Sequence, residues 1–244
     1  MDILRLQPWY NFTGSVLQSA EQVHQELSLD GLFYVILGVL FYFALIKLLF
    51  AKYLGNLLTL FFRVSMRQQQ IRDQVVQSPL PSLLLNILFV VSGGLYAGFL
   101  IRNGHFADKA DFWVLAINCC ILLALIYLVK FFLLKCTGWV FNIQRATDTY
   151  IFVVFMTNKI IGISLLPFLV ILSFSNALVS EVAITVSLIM VGIFFIRRFS
   201  VSVAPIRKEI KVNGLHFFLY LCAFEIAPLL LIYKVLLTYL EKAY

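Results

Sequence analysis

The chain has 244 residues, of which 62% are apolar and only 13% charged. Soluble domains carry about 45–50% apolar and about 25% charged residues, so the composition excludes an ordinary soluble enzyme or binding domain and points to an integral membrane protein. The formal charge of +7 would raise nucleic acid as a partner for a soluble chain. In a membrane protein, basic residues gather in cytoplasmic loops as topology determinants, and nucleic acid is not an expected partner.

Apolar runs of about twenty residues fit transmembrane helices, whereas a barrel would show shorter alternating segments. The expected fold class is therefore all-α, a polytopic helical bundle in the bilayer. The polar stretches, at most about 30 residues, are too short to bury a core of their own. Residues 31–240 are read as a single membrane domain, preceded by a segment over residues 1–30.

That first segment mixes Trp9, Tyr10 and Phe12 with polar residues. The spacing of Val16, Ala20, Val23 and Leu27 predicts a short amphipathic helix at the membrane surface, with the aromatic side chains at headgroup level. It lacks the basic start and apolar centre of a cleavable signal peptide. Asn11-Phe12-Thr13 matches a glycosylation sequon, a triplet frequent by chance.

The first predicted span is Gly31 to Phe50, with Lys47 near its end. Residues 51–79 turn from apolar to Gln- and Arg-rich. Leu57, Leu60, Phe61, Val64 and Ile71 can share one face, which predicts an interfacial helix; Arg63, Arg67 and Arg72 prevent a span. Pro79 and Pro81 mark the start of the second span, Leu80 to Ile101, in which Gly94 and Gly98 form a GxxxG spacing. That spacing lets helices approach closely, for internal packing or for dimerisation.

The third span, Phe112 to Leu134, has Asn118 as its most polar interior residue. A compact connector over residues 135–150 leads to the fourth span, Ile151 to Phe174, which contains Asn158, Lys159 and Pro167. A short turn at Ser175-Asn176 precedes the fifth span, Ala177 to Ile196, and residues 197–213 form the most basic loop. The sixth span, Gly214 to Leu237, carries Glu225 near its middle, with Pro228 three positions on.

Six spans can be oriented by their charges. With residues 51–79 in the cytoplasm, thirteen of the nineteen basic residues fall on the cytoplasmic side and five on the other, with Lys159 inside the membrane. Both termini are then expected in the periplasm. Lys159 lies about 12 Å into its span and Glu225 about 16 Å into its own, at about 1.5 Å per residue. Two charges at similar depth predict a buried Lys159–Glu225 pair, because an unpaired charge there is costly. Asn158, Asn118, His216 and Tyr220 are candidates to extend that polar centre, and Pro167 and Pro228 to interrupt the helices beside it.

No HExxH, GxSxG or paired-acid motif is present, and the three histidines are scattered. The four cysteines, Cys119, Cys120, Cys136 and Cys222, show no metal or redox spacing and are read as packing residues. No enzyme activity, metal or cofactor is expected. The phrases TNKIIGISLLP in the fourth span and LHFFLYLCAFEIAPLLLIYKVL in the sixth resemble the shared blocks of an uncharacterised membrane-protein family of the Bacteroidota, a domain of unknown function. The resemblance covers about residues 31–240 and implies a bacterial inner membrane and a polytopic helical fold; it carries no activity. The expected role is a structural or accessory subunit of a cell-envelope complex for secretion or assembly. The expected partners are the bilayer and either another membrane protein or further copies of the chain. The alternative is a small proton- or ion-coupled transporter built on the Lys–Glu pair.

Overall fold

The computed structural model describes residues 29–62, 78–103, 111–140 and 144–209. The expected surface helix in residues 1–30 and the sixth span therefore lie outside the described residues, as do Val64 and Ile71. The described residues form helices joined by short turns, with no strand among them. Its elements are α1 (Leu29–Leu49), α2 (Ala51–Phe62), α3 (Pro79–Asn103), α4 (Phe112–Val140), α5 (Gln144–Phe174) and α6 (Ala177–Glu209). Five of them, all but α2, are long and apolar enough to cross a bilayer, so the chain is a multi-pass helical membrane protein.

Local sequence explains the boundaries. Asp30 lies in the first turn of α1 and Lys47 in its last, each matching the sign of the helix dipole at its end. Prolines 79 and 81 sit in the first turn of α3, where the missing N–H is no loss. Between α5 and α6 the chain reverses within Ser175-Asn176, where the Asn176 carbonyl accepts the Ser180 N–H as the first bond of the new helix. The amphipathic α2 buries Tyr53, Leu54, Leu57, Leu60 and Phe61, so the expected helix with one apolar face forms over the part described.

Two expected connecting stretches are helical where described. The connector expected over residues 135–150 belongs to the last turns of α4 over 135–140 and to the first turns of α5 over 144–150, and Lys135 Nζ meets Asp148 Oδ1 across them at 2.6 Å. The basic stretch after Ile196 continues α6 to Glu209. A helix satisfies its own backbone and need not end where the apolar run ends. At 33 residues α6 is about 50 Å long, well beyond the ~30 Å hydrocarbon thickness.

Helix α5 is the centre of the bundle. Some 61% of its apolar span is buried and 50% of that of α3, against 17% or less for α1, α4 and α6. Its closest neighbours are α3 and α6. Helices α3 and α5 run parallel, because Ser82 meets Lys159 and Phe89 meets Gly162. Helices α3 and α4 run antiparallel, because Gly94 meets Cys120 while Gly98 meets Ala116. At Gly162 the α3 backbone comes so close that an added Cβ would lie 2.7 Å from Phe89 Cα. One apolar cluster, with Leu57, Leu85, Leu88 and Ile160, fills the end near α2. A second, with Phe89, Tyr96, Ala116 and Leu169, fills the other end.

Candidate functional site

Near the α2 end, Lys159 is buried to 4% exposure between three helices. A helical side chain leans toward the N-terminus of its helix, so Lys159 on α5 reaches back toward the first turns of α2 and α3. There its Nζ donates to Ser82 Oγ at 2.6 Å and to Tyr53 Oη at 3.1 Å, and it lies 5.7 Å from the centroid of the Tyr53 ring. Burial pushes the Tyr53 phenol above its ordinary value, with a hydrogen bond to Ser82 opposing. The phenol is therefore neutral at physiological pH, and both described acceptors of Lys159 are uncharged hydroxyls.

One step around α5, Asn158 faces α4, and its Oδ1 accepts from Tyr127 Oη at 3.2 Å. Its Nδ2 is buried with no hydrogen-bond partner among the described residues, and so is Oδ1 of Asn86, one turn beyond Ser82 on α3. Tyr127 also packs edge-on against Phe89, which closes this layer between α3, α4 and α5. Thr157 turns inward too but donates to its own helix, at Val153 O.

Several polar contacts elsewhere join two helices. Tyr96 Oη and Ser187 Oγ share a buried hydrogen bond of 2.6 Å between α3 and α6. Tyr42 Oη donates to the Leu84 carbonyl, from α1 to α3. Arg197 on α6 donates through Nε and Nη2 to the Phe61 carbonyl and through Nη2 to the Phe62 carbonyl. It thereby satisfies carbonyls that the end of α2 leaves open, and its guanidinium also covers the Phe61 ring at 5.1 Å.

The residues expected to form the polar centre fare differently. Lys159 and Asn158 are buried in it. Asn118 is not: it lies exposed on the outer face of α4. At 100° per residue it sits nearly opposite Ala116, which is buried against Gly98. Pro167 is exposed, and α5 runs through it without a break, although the Ile163 carbonyl loses its usual N–H donor there. Gly94 and Gly98 are buried against α4, so within the chain the GxxxG spacing serves internal packing. Cys119 is buried and Cys120 packs on Gly94, whereas Cys136 is exposed rather than part of the core. Glu225, His216, Tyr220, Pro228 and Cys222 lie outside the described residues.

The sequence alone does not single out Tyr53, Ser82, Asn86 and Tyr127 around Lys159 and Asn158, or Tyr42, Tyr96, Ser187 and Arg197 in the other contacts. The available signal was position. Ser82 falls in the first turn after Pro79-Leu80-Pro81, and Tyr53 falls on the apolar face of an amphipathic helix. Neither position reveals which neighbour faces it.

No curated protein and no solved structure matches the chain. A family model does match, over residues 32–236, which is most of the sequence and takes in every described helix as far as Glu209 apart from the first turn of α1. The chain belongs to the family described as domain of unknown function DUF4271.

Proposed function

We propose that this chain is a structural or accessory subunit of a cell-envelope complex in the bacterial cytoplasmic membrane, of the kind that serves secretion or assembly, without catalytic activity of its own. One observation carries the reading: the buried polar side chains Lys159, Asn158 and Tyr96, and the half-buried Tyr127, Tyr42 and Arg197, each tie one helix to another. Such cross-links fix which helix lies beside which, and specifying an arrangement is a known use of buried polar groups. A rigid frame suits a subunit whose task is to hold partners in place. The bias of basic residues supports periplasmic termini: a cysteine introduced as Phe106→Cys labels from the periplasm, and labelling only from the cytoplasm overturns that orientation.

A second reading, a small proton- or ion-coupled transporter, is favoured by one feature of the same site. The described partners of Lys159 are neutral, and Asn158 Nδ2 and Asn86 Oδ1 stand by with unused hydrogen-bonding capacity. An acidic partner such as Glu225 would complete a titrating pair.

Reconstitution separates the two readings. The full chain in lipid vesicles with an imposed pH gradient and an internal pH dye gives no flux above empty vesicles under the scaffold reading. Flux that disappears in Lys159→Met establishes the transporter and removes the scaffold. In the native host, the scaffold reading requires that deleting the chain lowers the abundance of the envelope proteins that co-purify with it. Unchanged abundance counts against it.

A further inference from the structure

We infer that two copies of this chain associate in the membrane through the outer face of α4, with Asn118 of one copy hydrogen-bonded to Asn118 of the other. Asn158 is buried and Asn86 is half-buried with its Oδ1 inside the bundle, whereas Asn118 is exposed. It lies about 9 Å beyond the start of α4 at Phe112, by the helical rise, and its side chain is too short to reach the interface. An amide left facing hydrocarbon loses several kcal/mol of hydrogen bonding, so this position calls for a partner that both donates and accepts.

The surrounding face is built to receive a helix. Val114, Asn118, Ile121, Leu125, Leu128 and Phe132 are all exposed, and their spacing alternates four and three. That is the 3.5-residue repeat which keeps one seam against a neighbouring helix in a left-handed crossing. The seam runs about 27 Å along the helix, close to the full hydrocarbon thickness. Asn118 takes the place in the repeat where a polar residue fixes register.

Donor–acceptor complementarity identifies the occupant. Copies of one chain insert with the same orientation, so α4 of each runs parallel to the other. A two-fold axis along the membrane normal sets identical positions face to face. A carboxamide is its own complement: each Nδ2 donates to the other Oδ1. The seam and the amide are then satisfied by one and the same partner, a second α4. This inference stands apart from the scaffold reading, since a transporter dimerising on this face would leave it unchanged.

The test uses the full chain in lipid vesicles, with copies carrying donor or acceptor fluorophores and protein diluted stepwise into lipid. Energy transfer should report a dimer. Asn118→Leu keeps the face apolar and should weaken association by about tenfold, while Asn118→Gln should stay within about threefold of the parent. In a background with the native cysteines replaced by alanine and an unchanged melting temperature, cysteines at 118 and 125 should cross-link copy to copy. A cysteine at 116, which faces α3, should not. Monomers at every dilution overturn the inference, as does association unaffected by Asn118→Leu. It is also overturned if a cysteine at 118 cross-links instead to residues 214–237 of its own chain or to a different protein, because the face then has another occupant.

Discussion

Within the GxxxG spacing the two glycines are not equivalent, and alanine at each should move stability in opposite directions. A Cβ on Gly94 would lie 2.8 Å from Cys120 Cα and 2.9 Å from Cys120 N, and would also collide with Cys120 Sγ. Restoring ordinary contact of about 3.5 Å requires α3 and α4 to part by about 0.7 Å. The obstruction is backbone, so no rotamer relieves it, and the cost falls toward the upper end of overpacking, about 3 kcal/mol. Replacing a mid-helix glycine by alanine returns about 1 kcal/mol. The net loss of about 2 kcal/mol corresponds to a melting temperature lower by about 4–8 °C for a chain of this size. A Cβ on Gly98 would meet Ala116 Cα at 3.5 Å and Ala116 Cβ at 3.6 Å, which is ordinary contact, so Gly98→Ala keeps the propensity gain and raises the melting temperature by about 2–4 °C. Thermal unfolding of the purified full chain in mild detergent, followed by tryptophan fluorescence, measures both. Cys120→Ala combined with Gly94→Ala sharpens the test: it removes the thiol but leaves the Cα and N obstruction, so stability should not return. Full recovery in that double variant, or equal losses at Gly94 and Gly98, would refute the backbone-contact reasoning.

At the buried amine, Ser82→Ala removes one of the two described acceptors of Lys159 and should cost about 1–3 kcal/mol. Lys159→Met leaves Tyr53 and Ser82 to bond each other and should be nearly neutral, so adding it to Ser82→Ala should recover most of the loss; a double variant less stable than Ser82→Ala refutes this. Arg197→Gln should cost about 1–2 kcal/mol, less than a fully buried charged hydrogen bond because the site is partly exposed. The effect should be local: hydrogen exchange should accelerate at the end of α2, near Phe61 and Phe62, and not in α3 or α5, and uniform acceleration would count against it. Tyr96→Phe and Ser187→Ala break the α3–α6 hydrogen bond, and their double-mutant cycle should give a coupling of about 0.6–1.7 kcal/mol; a coupling of zero would show that the contact contributes nothing.

The amino-acid sequence by itself determined that this is a helical membrane protein and where four of its five described spans begin. Length and apolarity decide whether a segment crosses a bilayer, and prolines, short polar turns and charges punctuate it, so α3 and α6 start within a residue of their expected positions. Sequence was less able to say where helices end. Beyond the apolar run the backbone continues to satisfy itself, so α4 and α6 run on past their expected ends and α5 begins seven residues before its expected start. In the uniformly apolar spans, the direction of each polar side chain was decided only by tertiary structure. Asn118 and Asn158 are both amides inside apolar helices, yet one faces outward and the other joins Tyr127, because the face a helix buries depends on the neighbours it packs against. For the same reason Lys159, a solitary charge in the sequence, acquires its described partners from α2 and α3, 106 and 77 positions away. Hydropathy is a property of segments and survives without the fold; partnership is a property of pairs, and only packing creates it.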